Sequence, residues 1–335
     1  MAMEVKIDKS NMRKIILDFP KQFRVGLEAA KDIKVLGSFD AVLICGMGGS
    51  ALPGDILSMW LENYKISLPF YVHRNYSLPY HVDEKYLIVC ISYSGNTEES
   101  LSAFGEALKR KLKIVAITSG GKLEKLCEKY QIPFAKVPKG YQPRMALGYQ
   151  FSALMKILTN CGLIGNNLEN ILDLEKKLKP GILELRGKKL AKKLKGKIPV
   201  VYASQRRKTL ARIWKIKFNE SSKITAFFNY FPELNHNELT GFENPEKKLH
   251  IIILRDPMDH PRILKRMRVT AAILKSKGLS VDFIDIKGED FLCKIFFNII
   301  LSDWVAYYLA MECKTDPTST QLQEKFKLWL RSKKQ

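Results

Sequence analysis

A glycine-rich segment and a hydroxyl-rich segment offer the first groups able to do chemistry. Residues 46–51, GMGGSA, follow an apolar run and precede a helical pattern. Glycine lets the backbone approach a ligand closely, and a helix N-terminus presents unpaired N–H groups to an anion. Residues 92–99, SYSGNTEE, place hydroxyl groups on Ser92, Ser94 and Thr97 around a Gly-Asn turn. Such a compact set of donors suits a phosphate monoester.

Each segment also has an alternative interpretation. Residues 46–51 match G-x-G-x-x-A, the fingerprint of dinucleotide-binding proteins. That fold expects a carboxylate after the next strand to hold the ribose, but His73, Arg74 and Asn75 stand there. Taken alone, residues 92–99 fit equally well a turn in which Thr97 caps the next helix. The P-loop pattern G-x-x-x-x-G-K-[ST] is absent, which disfavours a nucleoside triphosphate. Together the two segments favour a phosphate site at the carboxyl edge of parallel strands.

Three further segments hold ionisable side chains in polar surroundings. Arg144 follows a proline at a predicted helix start, where a guanidinium could stabilise an oxyanion or equally form a surface salt bridge. Glu220 lies in FNESSK and His236 in PELNHNE. A carboxylate base, with a histidine to handle a sugar ring, fits these two residues. Zinc is disfavoured because neither H-x-H nor H-E-x-x-H occurs, and we expect no metal and no cofactor.

Short apolar runs alternate with helical patterns, which indicates parallel strands joined by crossover helices. The sequence therefore predicts an α/β fold of two doubly wound, flavodoxin-like parallel-sheet lobes flanked by helices. We expect a first lobe at 1–160 that opens with one helix from about Ser10 to Lys31, a helical connection at 161–195, and a second lobe with the C-terminal helices at 196–335. The predicted strands are residues 41–45, 69–73, 86–92, 114–118, 134–137, 199–203, 224–228, 250–254 and 281–286.

The formal net charge of +22 raises the question of a nucleic-acid partner. However, the lysines concentrate between Glu175 and Lys197, interleaved with leucines at helical spacing, which is typical of a solvated helix face. No nucleic-acid-binding motif accompanies them, so we expect no nucleic-acid partner and only some attraction of anionic substrates. The charged first ten residues and the lack of an apolar run near ~18 residues predict a cytoplasmic protein without a membrane span.

As a set, these segments resemble the SIS (sugar isomerase) domain proteins, and specifically the bifunctional phosphoglucose/phosphomannose isomerases of archaea and some bacteria. The resemblance runs over nearly the whole chain. SYSGNTEE is characteristic of SIS domains in general, whereas the Pro-Arg, N-E-x-x-K and P-E-x-N-H-N-E segments are specific to this branch. The resemblance implies a homodimer that interconverts hexose 6-phosphates, aldose to ketose, through an enediolate and without a metal.

The resemblance also implies individual roles. Arg144 would stabilise the enediolate, Glu220 would move the proton between C1 and C2, and His236 would assist ring opening in the neighbouring subunit's site. Lys327 would lie near the ring oxygen, with Lys325 as the nearby alternative, and Thr320 would occupy a position where a small hydroxyl accompanies activity on mannose 6-phosphate. The substrate and phosphate contacts would be Gly48, Gly49, Ser50, Ser92, Ser94 and Thr97.

Three rival functions follow from the same segments. Another SIS isomerase, for amino-sugar or heptose phosphates, should lack the NHNE stretch paired with Glu220. A non-catalytic sugar-phosphate sensor usually carries a helix-turn-helix domain, and none fits before Asp40. A nucleotide-dependent oxidoreductase is disfavoured by the missing ribose carboxylate.

Overall fold

The structure is a computed structural model that describes residues 7–332, without the side chain of residue 331. The chain divides into two compact units. The first-sheet unit comprises Leu17–Lys179 and Gly288–Phe296. The second-sheet unit comprises the described residues up to Ile16, Pro180–Lys287, and the described residues from Phe297 onward. The predicted helical connection at 161–195 is thus shared between the two units, with the division at Pro180.

The opening helix that the sequence predicts as a single element is two helices, and that prediction was wrong. Helix α1 spans Met12–Asp18 and α2 spans Lys21–Ala29. Proline disfavours a helical residue before it and lacks the N–H that a helix interior needs, so Pro20 separates the two. The backbone N–H of Met12 donates to Oδ1 of Asp8 at 2.7 Å, so Asp8 takes the capping place expected for Ser10.

A parallel five-stranded sheet in the order β2-β1-β3-β4-β5 forms the core of the first-sheet unit. Consecutive residues of its central strands are buried, so both faces of the sheet are covered. The order reverses between β1 and β3, which makes the crevice beyond their carboxyl ends the expected ligand site. The strands are β1 (Ala41–Cys45), β2 (Phe70–His73), β3 (Tyr86–Ser92), β4 (Lys113–Thr118) and β5 (Phe134–Lys136).

Helices connect these strands and pack on the sheet. On one face, Phe104 packs with Ile88 and Cys90 of β3 in the apolar core. The helices of this unit after α2 are α3 (Leu52–Asn63), α4 (Glu98–Lys109), α5 (Gly121–Lys129), α6 (Leu147–Asn160) and α7 (Leu168–Lys177).

The second-sheet unit holds a four-stranded parallel sheet in the order β7-β6-β8-β9. The two sheets confirm the predicted doubly wound architecture. Strand β7 begins three residues after its predicted start, because one turn of π-helix, Phe218–Ser222, and Lys223 in the left-handed region (φ +57°) occupy the chain before it. The strands are β6 (Ile198–Ser204), β7 (Phe227–Phe231), β8 (Leu249–Arg255) and β9 (Ser280–Asp285).

The lysine-rich stretch forms two helices with a buried apolar face, which confirms its interpretation as a solvated surface. In α8, Leu190 and Leu194 are buried while Lys189, Lys192 and Lys193 are exposed. Lysine side chains of this kind keep their charge in water. The helices of this unit are α8 (Gly181–Leu194), α9 (Lys208–Lys217), α10 (Pro261–Ser276), α11 (Phe291–Glu312), which begins in the first-sheet unit, and α12 (Gln321–Arg331).

Helix α11 is long and apolar enough to cross a membrane by length and composition, contrary to the expectation that no segment of the chain reaches that size. Of its most apolar window, 89% is buried inside the protein. Burial of this extent is typical of the core helix of a soluble protein, so the length of α11 gives only weak support to a membrane span.

The strand order of the second sheet reverses between β6 and β8, where a buried ion pair fills the space beyond the strand ends. Nε of Arg207 lies 2.7 Å from Oδ2 of Asp256, and the two side chains are 3% and 1% exposed. The hydroxyl of Ser204 donates to Asp259 at 2.8 Å beside them. Charges withdrawn from water in this way are stable only as a pair.

Replacing Arg207 with Met should therefore lower the free energy of unfolding by about 3–5 kcal/mol, because the carboxylate of Asp256 stays buried without its cation. The control is Arg255→Met. Arg255 pairs with Asp285 at 2.6 Å, but both side chains are about a third exposed, so its loss should cost about 1 kcal/mol or less. Urea unfolding measures both variants, and equal losses would contradict the assignment.

Candidate active site

The two segments singled out in the sequence leave adjacent strands of the first-sheet unit at its point of order reversal. Residues 46–51 follow β1, and residues 93–97 follow β3. Tyr93 joins them, because its backbone N–H donates to Oγ of Ser50 at 3.0 Å. The expected placement at the carboxyl edge of the strands is confirmed.

Gly49 is the point at which the glycine-rich loop meets the arginine segment. A Cβ built on Gly49 would lie 2.6 Å from the backbone N of Arg144 and 2.7 Å from the carbonyl carbon of Pro143. No side chain fits at that distance, so the loop needs glycine there for close packing. Gly48 is exposed and has φ +49°, so it adopts a conformation that glycine tolerates best.

The hydroxyl-rich loop has an inner and an outer layer. Ser92 is fully buried and donates to Oγ1 of Thr97 at 2.9 Å, while the backbone N–H of Gly95 donates to the carbonyl oxygen of Ser92. Thr97 stands at the cap position of α4 but makes no side-chain capping bond. Its Oγ1 accepts from Ser92, which leaves its O–H to donate. Ser94 is exposed and lines a cavity of about 790 Å³ with Asn96.

Arg144 is 1% exposed, and its segment is fixed from three sides. The side chain of Gln22 on α2 donates to the carbonyl oxygen of Met145 at 2.7 Å. Gln150 on α6 donates to the carbonyl oxygen of Pro143 at 3.2 Å. The backbone of Gly49 packs against the third side, so the structure brings the backbone of Arg144 together with the glycine-rich loop.

Glu220 lies in the second-sheet unit, on the π-helical turn that ends α9. Such turns interrupt the regular ladder and recur at functional sites. The turn is fixed on one side by the buried ion pair of Lys217 with Asp303, at 2.6 Å. It is closed on the other by Lys223, whose Nζ donates to the backbone carbonyl oxygen of Glu220 at 2.7 Å. Glu220 itself is half-buried.

Glu220 lines a cavity of about 1370 Å³ together with Thr320 and Lys325. Lys327, which the resemblance selects, is not on this wall in the described part of the chain, and its Nζ pairs with Glu324 at 2.8 Å. The structure thus places Lys325, two residues earlier on α12, beside the cavity. In the described part of the chain, Lys223 of the N-E-x-x-K segment also lines the cavity, and so do three lysines that the sequence did not single out because isolated lysines carry no motif: Lys9, Lys215 and Lys314.

His236 follows a short turn after β7 and is exposed. The carboxylates around it are engaged: Glu238 accepts hydrogen bonds from the hydroxyl of Tyr202 and from Asn229, and Glu233 accepts one from Asn237 at 2.8 Å. In the described residues, His236 is not among those that line the cavity of Glu220. The chain's own fold therefore does not place this imidazole on the wall of that cavity.

Among residues 7–332, the structure shows no group of three or more His, Cys, Asp and Glu side chains arranged to hold a metal ion.

The sequence analysis did not single out Tyr93 and Gln22, which fix the arginine segment. Neither residue stands out in the sequence, because Tyr93 lies in a segment noted for its serine and threonine hydroxyls and Gln22 lies in an ordinary amphipathic helix.

Comparisons with known proteins agree with this architecture. The SIS domain family matches residues 38–138, and the bacterial phospho-glucose isomerase C-terminal SIS domain matches residues 184–330. Among solved structures, the C-terminal domain of glucosamine-fructose-6-phosphate aminotransferase from Francisella tularensis has a TM-score of 0.70 at 18% identity, covering 92% of this chain and 98% of that one. Tagatose-6-phosphate ketose/aldose isomerase from Escherichia coli has a TM-score of 0.67 at 15% identity, covering 91% and 93%. The fold is that of the SIS-type phosphosugar isomerases.

The curated relatives show to which family of SIS proteins the chain belongs. A bifunctional phosphoglucose/phosphomannose isomerase from Aquifex aeolicus is 36% identical over 94% of this chain and 96% of its own length. One from Caldicellulosiruptor bescii is 38% identical over 90% and 94%. A D-glucosamine-6-phosphate 4-epimerase from Sulfolobus acidocaldarius is 32% identical over 69% and 74%. The chain belongs to the family of bifunctional phosphoglucose/phosphomannose isomerases, and it is an enzyme of the aldose-ketose isomerase type.

Gly49→Ala should lower kcat/KM about a hundredfold, because the added methyl group pushes the backbone of Arg144 away from the glycine-rich loop. Gly105→Ala is the matched control, since a Cβ there meets nothing within 4 Å. Steady-state kinetics on hexose 6-phosphates measures both variants. Unchanged activity in Gly49→Ala would show that the close approach has no catalytic consequence.

Proposed function

We propose that this protein interconverts glucose 6-phosphate and mannose 6-phosphate with fructose 6-phosphate through a cis-enediolate, as a cytoplasmic homodimer without a metal. The observation that carries the proposal is the presence, in a member of this family, of a carboxylate on a fixed π-helical turn at the wall of a cavity. The family names support the pair of substrates. The charge of +22 favours encounter with an anionic substrate.

The loops of the first-sheet unit form the proposed phosphate-binding site. The proposed contacts come from the backbone N–H groups of the glycine-rich loop and from the hydroxyls of the hydroxyl-rich loop. Thr97 has an O–H to donate, and Ser94 is exposed to a ligand. Ser92 is too deeply buried for direct contact in this arrangement, so its proposed role is to orient Thr97. The proposed contacts are therefore Gly48, Gly49, Ser50, Ser94 and Thr97, with Ser92 supporting them from below.

Glu220 is the proposed base. It takes the proton from C2 of the aldose, the electrons of that C–H bond form the C1=C2 bond, and the carbonyl electrons move to O1. A proton then passes from O2 to O1, the electrons on O2 form the C2 carbonyl, and the protonated carboxyl of Glu220 returns its proton to C1. Arg144 stabilises the negative oxygen, and every ~1.4 kcal/mol of such stabilisation speeds the step tenfold. Rotation about C2–C3 presents either face of C2 to the same carboxyl, so one site serves both epimers.

The remaining proposed roles are to open the sugar ring and to accept mannose 6-phosphate as a substrate. His236 opens the ring in the neighbouring subunit's site, and a lysine on α12 stands near the ring oxygen. The family resemblance assigns Lys327 to that place, and the position of Lys325 on the wall of the cavity makes it the alternative. Thr320 lies on the same wall as Glu220, which suits a hydroxyl that accompanies mannose 6-phosphate activity.

Glu220→Gln should lower kcat at least ~100-fold with little change in KM, because glutamine keeps the shape of the side chain but cannot take a proton from carbon. The control is Glu233→Gln, in which the amide oxygen still accepts the hydrogen bond of Asn237. A coupled assay of fructose 6-phosphate formation from each aldose measures both. A mild Glu220→Gln beside a damaging Glu233→Gln would overturn the assignment.

Mixed dimers test the shared site. If each site combines Glu220 of one chain with His236 of the other, Glu220→Gln and His236→Ala homodimers are both nearly inactive. In a mixed dimer one site carries both lesions and the other carries none. Random chain exchange makes half the dimers mixed, so about a quarter of wild-type activity should return. No recovery after verified exchange would place both residues in the same chain's site.

A further inference from the structure

We propose that Tyr93 is a positioning residue, whose hydroxyl holds the segment carrying Arg144 against the glycine-rich loop and thereby sets the rate of isomerisation. The inference rests on the proposed role of Arg144 as the group that stabilises the enediolate. It concerns only contacts within the first-sheet unit.

The phenol of Tyr93 joins two points of the chain just before Arg144. Its hydroxyl donates to the carbonyl oxygen of Pro138 at 2.8 Å and accepts from the backbone N–H of Tyr141 at 3.0 Å. One oxygen therefore uses both its donor and an acceptor position on the connection between β5 and the arginine segment. A side chain without that oxygen would leave both backbone groups without this partner.

The backbone of Tyr93 is fixed in turn. Its N–H donates to Oγ of Ser50, and its carbonyl oxygen accepts from the hydroxyl of Ser119 at 2.6 Å. Tyr93 thus links the loops that follow β1, β3 and β4 to the segment that follows β5. Because it is 4% exposed, its effect on the reaction runs through its neighbours and not through contact with substrate.

The hydroxyl is suited to a permanent hydrogen bond and unsuited to proton transfer. Burial raises the pKa of Tyr93 to about 12. The phenol therefore stays protonated through the range in which a sugar-phosphate isomerase is assayed, and its bond to Pro138 persists. A positioning role predicts an effect independent of pH, whereas a catalytic acid or base would alter one limb of the pH profile.

The single variant Tyr93→Phe removes only the hydroxyl. We expect kcat to fall between about tenfold and a hundredfold, as for a slightly misplaced catalytic group, while KM and the inhibition constant of inorganic phosphate change less than about threefold. The loss of kcat should be the same at each pH from 6 to 9. The control is Tyr149→Phe, which removes a nearby hydroxyl that lies 3.4 Å from the hydroxyl of Tyr141 and bonds no backbone group of the segment.

A double-mutant cycle separates this inference from the function on which it rests. Arg144→Ala alone should lower kcat, and a normal rate in that variant would reject the role of Arg144 itself. In the Arg144→Ala background, Tyr93→Phe should change kcat by less than about twofold, because a residue that acts through Arg144 has nothing left to position.

Four results would overturn the inference. The losses of kcat caused by Tyr93→Phe and Arg144→Ala could multiply in full in the double variant, or Tyr93→Phe could change the alkaline limb of the pH profile of kcat. Tyr93→Phe could also raise KM by the factor by which it lowers kcat, or leave kcat unchanged in the folded protein. Thermal unfolding measures the folded fraction of each variant before the assay, so that kcat refers to folded enzyme. A variant that only loses stability then shows an unchanged kcat, which is the last of these results.

Discussion

Close packing of the backbone of a buried arginine, Arg144, against a glycine is the constraint on which the first-sheet unit depends. Arg144 is withdrawn from water and reaches that position only because Gly49 has no side chain to keep its backbone away. A buried cation must be held by fixed partners, since water cannot compensate for a poor arrangement. The side chains of Tyr93 and Gln22 form hydrogen bonds with backbone groups of this segment, so they connect it to the rest of the unit.

The two sheets share a topology but use its special position differently. In the first sheet, the loops that leave β1 and β3 at this position carry glycine and hydroxyl groups. In the second sheet the equivalent place between β6 and β8 holds Arg207 and Asp256 as a buried pair. The same strand order therefore presents the proposed phosphate contacts in one unit and a buried ion pair in the other, because loop side chains and not topology decide what stands beyond the strand ends.

The second-sheet unit carries Glu220 on a π-helical turn. A π-helical turn widens the helix by one residue and costs hydrogen-bond regularity, so it persists only where its surroundings hold it. Lys217 with Asp303, and Lys223 on the backbone, supply that support. Glu220, the proposed base, lies on this turn at the wall of the cavity.

The sequence alone determined the fold class, because buried parallel strands read as short apolar runs: β1 and β3 have the predicted bounds. It also located the loops, since glycines and clustered hydroxyls mark their own positions. Pro20 is a local signal that the prediction of a single opening helix passed over, whereas the tertiary structure alone decided that β7 starts late. It decided as well that Lys325 and not Lys327 lines the cavity, and that Tyr93 joins four loops. Such facts depend on which helix face turns inward and on contacts between residues far apart in sequence, and no local pattern encodes either.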